Sequence, residues 1–304
     1  MAKKFDVPIL FLIFNRPNTT EQVFKIVKEV RPSRLFIAAD GPREDRIGEI
    51  EKCEEARKIT EKIDWLCEVK RLYRKNNLGC KVAINEAISW FFKNVDEGIV
   101  LEDDCVPDPS FFKFCETMLR RYRYDERIMH IGGSNFLPND MKESDGYYFS
   151  KYSQVWGWAT WRRAWKKMDY KMSQWKNFSR SKEYSSLFPY FWERVYWRVI
   201  ADAVMMGKIN SWAYRWQFSI WENRGKAISP GRNLVKNIGL RGGTHINTNV
   251  GILERQAESI NGNPVVLSNK YSINADEYIM KEVYRISPLM VFAQWGYYMF
   301  KKGE

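Results

Sequence analysis

The sequence predicts an α/β fold in which a mostly parallel sheet is covered by helices, and two features of the first 120 or so residues predict it. Short apolar runs alternate with longer amphipathic stretches, the rhythm of strands joined by crossover helices. Each apolar run also stops at turn formers or charges, as at Asp40-Gly41-Pro42. With 304 residues and 45% hydrophobic content, the chain is long enough to bury a large core around such a sheet.

Val7 to Phe14 is an unbroken apolar run, the pattern of a strand buried on both faces. It is too short to span a bilayer and ends in Asn15-Arg16-Pro17, not in a small-residue cleavage site, so neither a span nor a secretion signal is expected. Asn18 is the expected cap of the next helix, with Glu21 three residues on as in a capping box. Val23, Ile26, Val27 and Val30 then give that helix one apolar face. Arg34 to Ala39 reads as a second strand, Ile47 to Lys62 as a charged helix and Glu68 to Tyr73 as a third strand. After Asn76-Asn77-Leu78-Gly79, the residues Val82, Ala83, Ala87, Ile88 and Phe91 recur at helical spacing. A fourth strand, Gly98 to Leu101, runs directly into Glu102-Asp103-Asp104. Pro107 and Pro109 end that loop and open a helix through Phe112, Cys115, Met118 and Leu119.

The texture changes near residue 145. From Tyr147 to Trp221 aromatic residues dominate, with Trp156, Trp158, Trp161 and Trp165 crowded together. Trp161 and Trp165 are expected to be buried. Trp192, Val195, Tyr196, Val199 and Ala203 mark one face of a helix ending near Gly207. No fixed-period repeat or linker separates the halves, so residues 1–145 and 146–285 are expected to be two parts of one domain, with 286–304 as a tail. Pro288 to Phe300 is aromatic and apolar and precedes Lys301 and Lys302; it reads either as a terminal helix packed on the domain or as a segment lying in a membrane interface.

The net charge of +12 would draw phosphates, anionic lipid or nucleic acid, and charge alone does not choose among them. No helix-turn-helix, zinc or RNA-binding signature accompanies it, so nucleic acid is not an expected partner. Five cysteines without CxxC pairs suggest neither a disulfide framework nor a zinc site. A cytoplasmic protein is expected, with contact to the inner face of the cell membrane as a further possibility.

Ligands of open α/β sheets lie outside the carboxyl ends of the strands, which gives priority to Asn15-Arg16, Asp40-Gly41, Arg74 to Gly79 and Glu102 to Asp104. An acidic triplet in a loop is, taken alone, more often a solvated turn. At the end of an apolar strand, however, burying three carboxylates without a cation is costly. Mg²⁺ and Mn²⁺ take carboxylate and phosphate oxygens through one or two protein ligands, so the triplet suits a metal-diphosphate site.

Asn15-Arg16-Pro17, Asp40-Gly41-Pro42, Asn77-Leu78-Gly79 and Glu102-Asp103-Asp104, in this order at successive strand ends, resemble the N-terminal half of GT-A glycosyltransferases. The chain is most similar to the N-acetylglucosaminyltransferase I-like group and to related bacterial glycosyltransferases of surface polysaccharide synthesis, over residues 7–250 and most firmly over 7–115. The resemblance implies a GT-A, Rossmann-like mixed sheet flanked by helices, with a nucleotide diphosphate sugar as donor, UDP-linked. It implies that Arg16 faces the nucleotide or its phosphates and that Asp40 hydrogen-bonds the base, with Asn77 and Gly79 beside them. Asp103 would bind ribose, Glu102 the transferred sugar, and Asp104 the Mn²⁺ or Mg²⁺, the place of a DXD motif. Outside the resemblance, Arg16 reads as a surface salt bridge and Asp40 as a turn former.

Val155-Trp156-Gly157-Trp158-Ala159-Thr160-Trp161 is similar to a loop of the same family that meets donor and acceptor. Gly157 would let backbone approach a ligand, and Trp156, Trp158 and Trp212 would contact sugar or acceptor; a core cluster is the other reading of these tryptophans. Ser211-Trp212-Ala213-Tyr214-Arg215-Trp216 departs from the family, whose members carry an aspartate where this chain has Ala213. That acid is the natural general base for an inverting transferase, and alanine accepts no proton. Either this form is inactive, or a base such as Asp202 or Glu222 replaces it, or the protein binds without turnover. Arg241 and His245, in Arg241-Gly242-Gly243-Thr244-His245, would hold the diphosphate and complete the metal shell. His130 reads as a strand residue.

The expected activity is transfer of a hexose or N-acetylhexosamine to a hydroxyl of a glycan or lipid-linked acceptor. A nucleotidyltransferase making the activated sugar would want a glycine-rich basic loop after the first strand, which Asn15-Arg16-Pro17 does not supply. A non-catalytic sugar-nucleotide or glycan binder is the reading that Ala213 favours.

Overall fold

The computed structural model describes residues 5–138, 141, 146–239, 253–262 and 264–300. Strands β1 (Ile9–Ile13), β2 (Arg34–Ala39), β3 (Glu68–Tyr73) and β4 (Glu97–Glu102) pair in parallel in the order β3-β2-β1-β4. Helices α1 (Pro17–Val30), α2 (Glu49–Ile59) and α3 (Gly79–Asn94) connect them. All five residues of β1 are buried, as a central strand covered on both faces requires.

The chain continues through β5 (Cys105–Pro107), α4 (Pro109–Arg121), β6 (Ile128–Gly132), β7 (Tyr147–Ser150) and β8 (Trp158–Trp161). Short helices α5 (Arg162–Trp165), α6 (Trp175–Phe178) and α7 (Lys182–Leu187) precede the longer α8 (Phe191–Met205) and α9 (Trp212–Glu222). Then come β9 (Lys226–Pro230), β10 (Val235–Asn237), α10 (Asn269–Tyr278) with a π-helical turn at Ile279–Val283, and α11 (Pro288–Phe300).

Among the described residues eight strands form one mixed sheet, β3-β2-β1-β4-β8-β6-β9-β7. β8 lies antiparallel between β4 and β6, β9 is parallel to β6, and β7 closes the edge antiparallel to β9. Strands of the second half therefore extend the sheet begun by the first. The fold is a mixed α/β sheet flanked by helices.

Alternation along the strands builds two cores. Ile9, Phe11, Ile13, Leu35, Ile37 and Leu101 meet Val23, Phe24 and Val27 of α1 and Phe111, Phe112 and Cys115 of α4. Leu10, Leu12, Phe36 and Val100 point the other way, onto Ala87, Ile88 and Phe91 of α3 and a cluster of Trp158, Trp165, Trp212 and Trp216. A third cluster joins Tyr152, Trp197, Phe218 and Trp221 to α8 and α10. Each such side chain contributes about 1.5–3 kcal/mol relative to exposure.

Three local expectations are corrected. Helix α1 begins at Pro17, with Arg16 in the cap position and no side-chain cap, so Asn18 lies inside the first turn. Proline supplies a preset φ and lacks the N–H that would go unpaired there, which moves the start one residue earlier. Helix α2 is shorter than Ile47 to Lys62, because Gly48 at φ +75° breaks the chain before it and leaves Ile47 exposed. The buried surface of α8 is wider than the expected face: Tyr196 and Ala203 are buried as expected, Trp192, Val195 and Val199 are partly buried against the same core, and Glu193, Trp197, Ile200, Ala201 and Val204 are buried besides. Trp161 and Trp165 are buried, and His130 sits in β6.

Candidate functional site

The order β3-β2-β1-β4 places the parallel strands β1 and β4 side by side at the point where the direction in which the chain steps across the sheet reverses, the position where open α/β sheets form a ligand crevice. Arg16 follows β1, and Glu102, Asp103 and Asp104 end or follow β4. Arg16 Nη1 donates to Asp104 Oδ2 at 2.9 Å, across 88 residues of sequence. The Phe14 backbone N–H donates to Asp103 Oδ2 at 3.0 Å, so the end of β1 holds two of the three acids. Glu102 shares the strand face of Val100, toward α3 and α9, by simple alternation along β4.

Burial pushes the Glu102 carboxyl up to about 8, with the Asp104 and Asp103 charges adding to the shift and Arg16 opposing it. Asp103 is pushed up to about 7, again by burial first and Asp104 second, against the Phe14 N–H. A protein gains nothing from crowding acids that resist ionisation unless something positive joins them. The donor set is all oxygen, which fits a hard divalent ion. Among the described residues no three His, Cys, Asp or Glu side chains form a ready-made metal cage. One or two of these acids can therefore supply protein ligands, with phosphate and water supplying the rest.

Strand β10 reaches the same place from the far end of the chain. It pairs antiparallel with β5, setting Asn237 opposite Cys105, and Ile238 N–H donates to the Asp104 carbonyl at 2.8 Å. Gly239 then passes against the acid: a Cβ there would overlap Asp104 Oδ2 and stand 2.8 Å from Arg16 Nη1. Sequence reading missed Gly239 as a site residue, since nothing local in Asn237-Ile238-Gly239 signals the acid it touches. Arg241 and His245 lie outside the described residues.

Asp40, Asn77 and Gly79 come together as a brace between two loops. Asp40 Oδ1 accepts from Gly41 and Leu78 N–H at 3.0 Å, and Oδ2 accepts from Gly79 N–H at 2.9 Å and Leu78 N–H at 3.1 Å. Asn77 Nδ2 donates to the Gly41 carbonyl at 2.7 Å. The buried Asp40 carboxylate is thus engaged by backbone donors at the start of α3. Glu49 makes a second brace that sequence reading missed. It accepts from Asn15 Nδ2 and from the Arg43 backbone and guanidinium, and the Arg43 hydrogen bonds hold its carboxyl at about 2. In the sequence it is one acid among many in a charged helix.

The tryptophan segment divides. Trp158 is 0% exposed, stacked between His130 and Trp212, and Trp212 is buried with it, so neither is presented to a ligand. The reason is the antiparallel pairing of β8 with β4, which carries Trp158 to the level of Val100 inside the sheet. Gly157, at φ +59°, is packed against Val235 and Leu101, where a Cβ would stand 2.8 Å from Val235 Cγ2; its close approach is to β10, not to a ligand. Trp156 remains half-buried, edge-on to Phe136. His130 is buried and held neutral: Trp216 Nε1 donates to its Nδ1, its Nε2 meets the Gln154 carbonyl, and burial lowers it to about 4.

Ala213 is half-buried in the first turn of α9, packed against the α3-side core. The two alternative bases lie on α8 and α9. Glu222 occupies the last position of α9, nine residues or about 14 Å further along the helix. It leads into β9, which starts at the opposite end of the sheet from Glu102. Its carboxyl is pushed up to about 7 by burial and by Asp169. Asp202 lies on the exposed side of α8, raised by burial and opposed by Arg198 and Lys176. A separate cleft of about 730 Å³ lies beside β7 and α10, but its acid Asp276 is already satisfied by Ser150 and the Lys151 N–H.

No protein-family model matches this chain, and neither does any curated protein. Among solved structures, it is similar to a UDP-glucose pyrophosphorylase complexed with UDP-glucose, at 10% identity and a TM-score of 0.39 over 74% of this chain and 90% of the other. A UTP-bound UGPase from Acinetobacter baumannii is 10% identical, with a TM-score of 0.36 over 98% and 100% of the two chains. HddC from Yersinia pseudotuberculosis is 11% identical, with a TM-score of 0.31 over 52% and 77%. TM-scores this low carry no argument about the chemistry of this chain, which rests on its own residues.

Proposed function

We propose that this chain binds a nucleotide diphosphate sugar, UDP-linked, in the crevice between β1 and β4, and that the site is built for glycosyl transfer to a hydroxyl of a glycan or lipid-linked acceptor in surface polysaccharide synthesis. The observation that carries the reading is the meeting of Arg16 with Asp104 at the strand ends, beside Asp103 and Glu102, whose carboxyls burial pushes up.

In this reading Asp104 holds Mn²⁺ or Mg²⁺, with His245 completing the shell. Bound there, the cation neutralises charge on the departing diphosphate as a Lewis acid. Arg16 swings from Asp104 to the diphosphate and adds a second positive charge, together with Arg241. Asp103 receives the ribose, and Glu102, on the α3 and α9 side of β4, faces the transferred sugar. The Asp40–Asn77–Gly79 brace shapes the loops at the base end, and Trp156 offers a ring face to the sugar.

The acceptor hydroxyl must lose its proton as it attacks, with inversion at the anomeric carbon. Ala213 stands where the resembling enzymes hold that base, and Glu222 lies at the far end of α9 from it. We therefore infer a donor site in working order beside a disabled acceptor site, and Ala213 equally favours a second reading, a sugar-nucleotide binder without turnover. Calorimetry with UDP, with and without Mn²⁺, tests the donor site: metal-dependent binding that Asp104→Asn abolishes is expected, and equal silence with and without metal would overturn the proposal.

A further inference from the structure

We propose that α11 lies in the interface of an anionic lipid bilayer and fastens the protein to it, a role independent of the donor-site reading. The helix meets the rest of the protein along one narrow stripe. Val291 is its one buried residue, with Gln294 and Tyr298 partly covered, and Phe292 touches Trp192 edge-on at 5.7 Å between ring centres. The remaining sides carry Leu289 at 83% exposure, Phe292 at 63%, Trp295 at 53% and Phe300 at 90%, with Tyr297 and Met299 also exposed. Phe191 and Met206, exposed at the two ends of α8, extend this surface along the neighbouring helix. An apolar patch of this extent marks an interaction surface, and its mixture of Trp, Tyr, Phe and Leu is that of helices which sit at the lipid headgroup boundary.

Length and charge decide between occupants. Thirteen residues give about 20 Å of helix, short of the roughly 30 Å of a hydrocarbon core, so α11 can lie in the interface but not cross it. No helix among the described residues is long and apolar enough to cross a membrane. From Val283 to Gly303 the sequence contains Arg285, Lys301 and Lys302 and no carboxylate, which brackets an uncharged helix with cations. A chain of net charge +12 is drawn to anionic headgroups and repelled by a second copy of itself, which argues for lipid over self-association. Lys208 Nζ donates to the Tyr298 carbonyl and so joins the end of α11 to the turn between α8 and α9. Adsorption through α11 therefore carries the Ser211–Ala213 end of α9 toward the bilayer.

The test is co-sedimentation of the full chain with vesicles of phosphatidylglycerol and phosphatidylcholine, and with phosphatidylcholine alone. Binding to the anionic vesicles that weakens in high salt is expected. Phe292→Ser with Trp295→Ser should lower the partition coefficient at least about tenfold while leaving the melting curve unchanged, since both side chains are more than half exposed. Lys301→Glu with Lys302→Glu should remove the preference for anionic lipid. Failure of the unaltered protein to sediment with anionic vesicles overturns the proposal. So does undiminished sedimentation of the serine variant, or a concentration-dependent dimer, seen by ultracentrifugation, that the serine variant abolishes.

Discussion

The Arg16 guanidinium spans the gap between β1 and β4 to pair with Asp104 at 2.9 Å, although its side chain remains 36% exposed. An exposed ion pair adds at most about 1 kcal/mol to stability, so removing the arginine separates a structural role from the proposed one in phosphate binding. Arg16→Met should leave the melting temperature within a few degrees and weaken UDP binding in Mn²⁺ by about ten- to a hundredfold, measured by calorimetry.

Stability should depend on pH in a direction set by the buried acids. Glu102 and Asp103 stay protonated in the folded protein up to about 8 and about 7, whereas in the unfolded chain they ionise in the ordinary carboxylate range. The folded state then holds more protons than the unfolded one between those limits, so stability falls as pH rises through that window. Without metal, the melting temperature should drop from pH 5 to pH 8; with Mn²⁺ the slope should flatten. Asp103→Asn, which keeps an acceptor for the Phe14 N–H, should raise the metal-free melting temperature at pH 8 by about 2–4 °C.

Gly239 is where the returning chain presses on the acid. Gly239→Ala should push Asp104 away from Arg16, cost about 1–3 kcal/mol of stability, and reduce metal-dependent nucleotide binding. A variant that melted lower yet bound UDP and Mn²⁺ undiminished would show that this contact serves packing alone.

Replacing Ala213 by aspartate asks whether the acceptor side is merely missing its base. Donor affinity should be unchanged, while transfer from a panel of UDP-sugars, followed by product NMR, should appear with inversion at the anomeric carbon. Persistent silence from a folded Ala213→Asp protein that still binds UDP would favour the binder reading.

Trp156 and Trp158 are two residues apart and should behave oppositely. Trp158→Ala removes a fully buried indole and should cost about 3–5 kcal/mol, visible in denaturant titration. Trp156→Ala should cost far less and instead weaken binding of the sugar nucleotide relative to that of free UDP.

The first half of the fold was legible because parallel strands buried on both faces spell themselves out as apolar runs, and Val7 to Phe14 and Arg34 to Ala39 could hardly be anything else. The acids after β4 were legible for the same reason: charge directly after such a run has to be accounted for. Reading along the chain could not show that β8 inserts between β4 and β6, because that pairing joins Val100 to Trp158. Without it, a tryptophan in the core and a tryptophan at a cleft look alike, and Trp158 was read as a ligand contact. Asp40 is visible in the sequence as a turn residue, but two of its three backbone donors, Leu78 and Gly79, come from a loop nearly forty residues on. Asp202 and Glu222 stand out in the sequence as acids of the right type in the right region; that Asp202 lies on the exposed side of α8 and Glu222 at the last position of α9 emerges only once the helices are formed.

The short ladder between β5 and β10 ties Cys105 to Asn237, residues 132 apart. During synthesis on the ribosome, the early strands and their three acids leave the exit tunnel long before the segment that closes over them. The pairing of β10 with β5 beside Asp104 therefore forms only after translation has passed Asn237, when most of the protein has been made.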